Sequence, residues 1–165
     1  GMEPTREQRI AAIEPVVFEY TYLLSAGHHA MFGAAPWRSH AERAYLVHYR
    51  NVDDFLMREE RGDHILAGDY LEAGLVRTWD LPTWRTEWRE DVRARLDHLG
   101  YSRLEEKAWA PHKSIPRLDT EVRGAWKQFY ESITDGEYRA EFVKQVELRR
   151  RELVPFHVRV ELLYL

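Results

Sequence analysis

The 165-residue sequence contains no cysteine, which excludes disulfides, thiolate nucleophiles and cysteine-ligated zinc or iron–sulfur centres. That composition fits a reducing compartment, and a cytoplasmic location is the expectation. Also missing is an apolar run of about 18 residues, the length a membrane helix needs. The best stretch, Val16 to Ala35, is broken by Glu19, His28 and His29. A secretory leader is not expected either, because Glu3, Arg6, Glu7 and Arg9 stand where its apolar core would begin. Neither charge dominates: 24 basic residues stand against 28 acidic ones for a net charge of −4, so no global field draws nucleic acid, although a local basic patch remains open. With 9 glycines and 7 prolines, the chain shows no Gly/Ser linker, repeat or low-complexity tract. A single helical domain over 2–165 is the reading, at a length that buries an adequate core without staples. Neither the glycine fingerprints of nucleotide sites nor the nucleophile elbow of acyl transferases occurs.

What the sequence does hold is aromatic side chains, 6 Trp, 9 Tyr and 6 Phe, together with apolar stripes at helical spacing. Thr5-Arg-Glu-Gln8 has the form of a capping box. It opens a helix that Pro15 should kink or restart before it reaches about Met31. Ser39-His-Ala-Glu42 predicts a second capping box, starting a helix to Met57 with Ala41, Tyr45, His48, Val52 and Phe55 on one stripe. A charged turn at 58–63 and a short helix from Ile65 to Ala73 follow. Pro82-Thr83 starts the next helix, striped by Trp84, Trp88, Val92, Leu96 and Leu99 and stopped by Gly100. A connector over Ser102–Leu118 leads to a helix from Asp119 to Ile133, built on Val122, Trp126 and Phe129. Asp135-Gly136 separates it from a last helix ending near Leu153. Beyond it Phe156, Val158, Val160, Leu162 and Tyr164 alternate with polar residues, a strand-like pattern that needs a partner. The expected fold is all-α, a five- to six-helix bundle with an extended C-terminal arm through which the chain self-associates as a homodimer.

Two clusters are the candidates for chemistry. His48, Arg50 and Asn51 lie in the second helix, where Arg50 and Asp54 are spaced to pair. His98 and Arg103 lie at the end of the Trp84 helix. Imidazole titrates near neutral pH, so His48 and His98 facing one cleft would suit an acid, a base or a ligand. The bland alternative is a satisfied, partly buried His48 and a His98 that meets the last carbonyls of its helix. No two histidines stand one helical turn apart, so neither a metal nor a cofactor is expected. A site assembled from His48, Asp69 and His98 is the remaining metal alternative. Arg85, Arg89 and Arg93 step by four beside Trp84 and Trp88. They read as a solvated face balanced by Glu87, Glu90 and Asp91, with a single-stranded nucleic acid as the sharper alternative.

Three strings, Leu46-Val-His48-Tyr-Arg50-Asn51-Val-Asp-Asp54-Phe55, Asp63-His64-Ile-Leu-Ala67-Gly-Asp69-Tyr70 and His98-Leu-Gly-Tyr-Ser-Arg103, resemble a group of uncharacterised bacterial helical proteins. That group carries an H-x-R-N-x-x-x-F helix, a D-D-x-x-A-x-D-[FY] turn and an H-L-x-x-x-R segment. The resemblance implies a helical fold and brings no activity. His64 departs from the acidic residue of the turn, which weakens any cation site there. Arg58 and His64 bear a remote likeness to the Arg/His pair of HEPN domains, helical bundles that include RNA-cleaving toxins. That likeness implies His64 as acid or base and Arg58 as the stabiliser of a charged transition state. The leading expectation is a non-enzymatic interaction or regulatory module with an RNA or protein partner and no membrane association. The alternative is a small-ligand binder or enzyme built on a His48/His98 pocket.

Overall fold

The computed structural model describes residues 2–97 and 111–153. The fold is all-α, with five α-helices and no strand among the described residues. They are α1 (Arg6–Phe32), α2 (Trp37–Met57), α3 (Arg89–Asp97), α4 (Ile115–Glu131) and α5 (Gly136–Leu153). None of them is long and apolar enough to cross a membrane. The expected C-terminal arm, with Phe156 to Tyr164, lies outside the described residues.

Helix α1 is the central element, packing along α2 and α5 and touching α4. Thr5 caps it as expected: its hydroxyl accepts from the Gln8 N–H at 3.1 Å, and Gln8 Oε1 accepts from the Thr5 N–H at 2.8 Å. Pro15 neither stops nor restarts the helix, which runs unbroken from Arg6 to Phe32. An interior proline costs about 3 kcal/mol in isolation. Here the apolar face of α1 (Ile13, Val17, Tyr20, Leu24) is fully buried on both sides of it, and that burial outweighs the lost hydrogen bond.

The second expected capping box does not form. Helix α2 begins at Trp37 with no side-chain cap, because the Arg38 N–H already donates to the Ala34 carbonyl at 3.0 Å. Ser39 is thus inside the helix, and Glu42 accepts instead from His112 Nδ1 at 3.1 Å. The short helix expected over 65–73 is a single 3-10 turn, Ala67–Tyr70. Helix α4 starts four residues earlier than the predicted Asp119, with Pro116 in its first turn, where a missing N–H costs nothing. Pro82-Thr83 leads into a π-helical turn, Trp84–Trp88, and then α3.

The core is rich in aromatic rings. Tyr20 stacks on Trp126 at 4.1 Å between centroids, and Tyr49 stacks on Trp84 at 4.4 Å. Phe55, Tyr70 and Phe142 surround Phe129 at 5.2, 6.3 and 5.6 Å, each near a T-shaped angle, the arrangement ring quadrupoles prefer. The buried stripe of α2 is Tyr45, Tyr49, Val52 and Leu56, alongside Leu46 and Phe55; His48 sits at its edge. Gly27 permits a close approach of α1 to α2, since a Cβ there would stand 2.8 Å from Tyr45 Cε2. Polar groups tie the ends together. Arg6 reaches Asp135 in the α4–α5 turn at 3.0 Å and Glu137 in the first turn of α5 at 2.7 Å, and the Tyr70 hydroxyl donates to the Arg9 carbonyl at 2.7 Å.

Candidate functional site

Side by side, α1 and α2 bring two polar residues from largely apolar stretches into contact: Glu19, three residues from Val16, and His48, between Tyr45 and Val52. His48 Nδ1 lies 2.6 Å from Glu19 Oε2, and Asn51, one turn further along α2, adds a side-chain hydrogen bond to the same carboxylate. Burial alone would raise the Glu19 pKa. The bonds from His48 and Asn51 outweigh it and hold the carboxyl below its ordinary range. Glu19 is therefore a fixed negative charge between two helices.

Below this trio opens a cleft of about 260 Å³ whose walls include Val16, Glu19, Asn51, Phe55, His64 and Trp126. Its walls come from α1, α2 and α4 and from the loop after α2. Gly62 turns that loop with φ of 50°, and the Arg61–Asp69 ion pair pins it, with Arg61 Nη1 donating at 3.0 Å to an Asp69 carboxylate that also accepts from the Leu66 N–H at 2.8 Å. Trp126 is 0 % exposed, and its indole N–H is buried with no hydrogen-bond partner. A buried donor left unpaired costs on the order of 1–3 kcal/mol, so this indole N–H still wants an acceptor.

On the other edge of α2 a polar groove of about 660 Å³ runs towards α3, lined by Arg50, Asn51, Asp53, Arg58, Arg89 and Arg93 among others. Asp53 is buried at its base, and Arg89 grips it with Nε at 3.0 Å and Nη2 at 2.7 Å. Burial still leaves the Asp53 carboxyl above its usual range, against the pull of that guanidinium.

These positions account for the expected site residues unevenly. Asn51 joins the cleft to the groove, His48 meets the cleft only through Glu19, and Arg50 lines the groove. Arg58 caps α2, pairs with Asp54 at 3.5 Å and lines the groove, whereas exposed His64 lines the cleft. His98 and Arg103 lie outside the described residues. Asp69 is committed to Arg61, and no group of three or more metal-ligating side chains occurs among the described residues. Glu19 and Trp126 are not candidates on sequence alone. The signal for Glu19 was a lone charge inside an apolar helical stretch, which demands a partner from another helix; Trp126 gave none, because a core indole and a cleft-lining one share the same spacing.

Compared with known proteins, the chain matches no family model, no curated protein and no solved structure.

Proposed function

We propose that this chain is a non-enzymatic binding module that takes a small, partly apolar ligand in the cleft between α1 and α2. The unpartnered Trp126 indole N–H beside Val16, Val52, Phe55 and Ile65 carries the reading: it calls for a hydrogen-bond acceptor on an otherwise apolar body. Binding is favoured over catalysis because Glu19, a half-buried carboxylate at the cleft, is already held ionised by His48 and Asn51. The test is a fragment library screened against the indole N–H resonances, with Ile65→Trp as the cleft-filling variant. Ligands should shift the Trp126 resonance in the parent protein and not in the variant, at unchanged melting temperature. A library that leaves Trp126 unmoved rejects the reading. Cleavage of total RNA by the parent protein but not by His64→Ala would replace binding with the HEPN-like chemistry.

A second reading, an interaction module that self-associates, draws on Phe32 and Trp37, which are 75 % and 72 % exposed where α1 turns into α2. Large aromatics so exposed are common anchors of protein contacts. Light scattering should then give a dimer that Trp37→Ala or removal of 156–165 weakens; a monomer at all concentrations rejects it.

A further inference from the structure

We infer that the groove between α2 and α3 is an oxyanion site for the phosphate group of a ligand, separate from the α1–α2 cleft and independent of the binding role proposed for it. Arg50 lies on α2 and Arg58 is the residue that caps its C-terminal end, while Arg89 and Arg93 stand one turn apart on α3; all four line the same groove. Three carboxylates, Asp53, Asp54 and Glu90, also line it, so the four guanidinium groups exceed them by one.

The distribution matters more than that sum. Asp53 is buried behind Arg89 and engages only Nε and Nη2. The ion pair therefore fixes the guanidinium plane while its remaining Nη1 edge makes no bond to Asp53. A planar donor held by a buried carboxylate is pre-organised, so little rotamer entropy is lost when an anion arrives. The Arg58–Asp54 contact is a looser pair at 3.5 Å, with both side chains more than a third exposed, the kind worth little in water. Arg58 can exchange that partner for a phosphate oxygen at small cost. Arg93 is exposed one turn beyond Arg89 and supplies a further donor. Bidentate guanidinium contacts match the tetrahedral oxyanion of a phosphate ester.

The experiment titrates the full chain with inorganic phosphate and, in parallel, with oligouridylates of increasing length, following the arginine side-chain resonances. Arg93→Gln and Arg58→Gln test the groove. Arg85→Gln, whose guanidinium pairs with Asp80 at 3.1 Å, is a control outside it. Both groove variants are exposed and should keep the parent melting temperature. The expected result is saturable binding that each groove variant weakens by about tenfold and Arg85→Gln leaves unchanged. Affinity that rises with oligonucleotide length, with a salt slope that falls by about one unit in each groove variant, identifies a nucleic-acid backbone; equal affinity for phosphate and every oligonucleotide identifies a small phosphoester. No binding of either probe, or an equal loss in Arg85→Gln, overturns the assignment. A cleft-filling Ile65→Trp variant that still binds phosphate shows that the two sites stand or fall separately.

Discussion

His48 Nδ1 and Glu19 Oε2 lie 2.6 Å apart, an inter-helix contact between side chains only 17 % and 27 % exposed. Its pH dependence follows from the Glu19 carboxyl, which sits below its ordinary value of 4.5. The folded protein thus holds the Glu19 proton less tightly than the unfolded chain does. The stabilisation is complete above that ordinary value and is lost as pH falls through the lowered one. Glu19→Gln should cost about 1–2 kcal/mol at neutral pH, measured by chemical denaturation. The gap from the parent protein should close as pH falls through the lowered value of the Glu19 carboxyl; if it persists in acid, Glu19 acts through packing and not charge.

Gly27 and Gly124 should respond oppositely to alanine. A helical Gly→Ala change ordinarily stabilises by up to about 1 kcal/mol. At Gly124 no atom lies within 4 Å of the new Cβ, so that gain should appear in full. At Gly27 the Cβ would press to 2.8 Å on Tyr45 Cε2. The Tyr45 ring cannot withdraw, being fully buried with its hydroxyl donating to Asp119 at 3.1 Å. Gly27→Ala should therefore destabilise by about 1–3 kcal/mol, seen as opposite shifts in melting temperature.

Removing Arg89 strands the buried Asp53 carboxylate. Arg89→Met should cost roughly 2–3 kcal/mol at neutral pH, less than for a fully buried pair, because Arg89 keeps 36 % exposure. The Asp53 pKa is already raised by burial and rises further without its partner. A raised carboxyl favours folding at low pH and disfavours it as pH climbs, so the loss should shrink on acidification. Adding Asp53→Asn should recover much of the stability at neutral pH, and a double-mutant cycle reads the coupling.

Asp69 holds the loop that carries His64. Its carboxylate, 2 % exposed, binds Arg61 and the Leu66 N–H together. Asp69→Ala should cost about 3 kcal/mol and loosen residues 61–66 selectively, as faster amide exchange there than in α1. Uniform protection after the change would mean that the loop is held by its apolar contacts.

The helices could be read from the sequence through their apolar stripes, and the start of α1 also through its cap. Thr5 and Gln8 close their box, and Val122, Trp126, Phe129 and Ile133 are all buried as their spacing predicts. The misreadings came from local rules that tertiary packing overrode. Pro15 sits on an exposed strip of α1, so its ring disturbs nothing that the opposite face needs. Ser39 lost its cap because winding had begun two residues earlier, at Trp37. At the candidate site the histidine was legible but its role was not. Only the relative rotation of α1 and α2 reveals that His48 meets Glu19, and no spacing within either helix encodes that rotation.

The π-helical turn at Trp84–Trp88 lets the Arg89 N–H donate to the Trp84 carbonyl, five residues back. In a regular α-helix residues five apart diverge by about 140°; the wider turn brings Trp84 onto Tyr49 and Arg89 onto Asp53 together. It behaves as one surplus residue absorbed into a coil. Excising exposed Thr86 would relax the bulge to ordinary winding and leave everything downstream in phase. The same excision just after Arg89 would swing Val92 out of the interior by about 100°. Length is thus negotiable on one side of Arg89 and forbidden on the other.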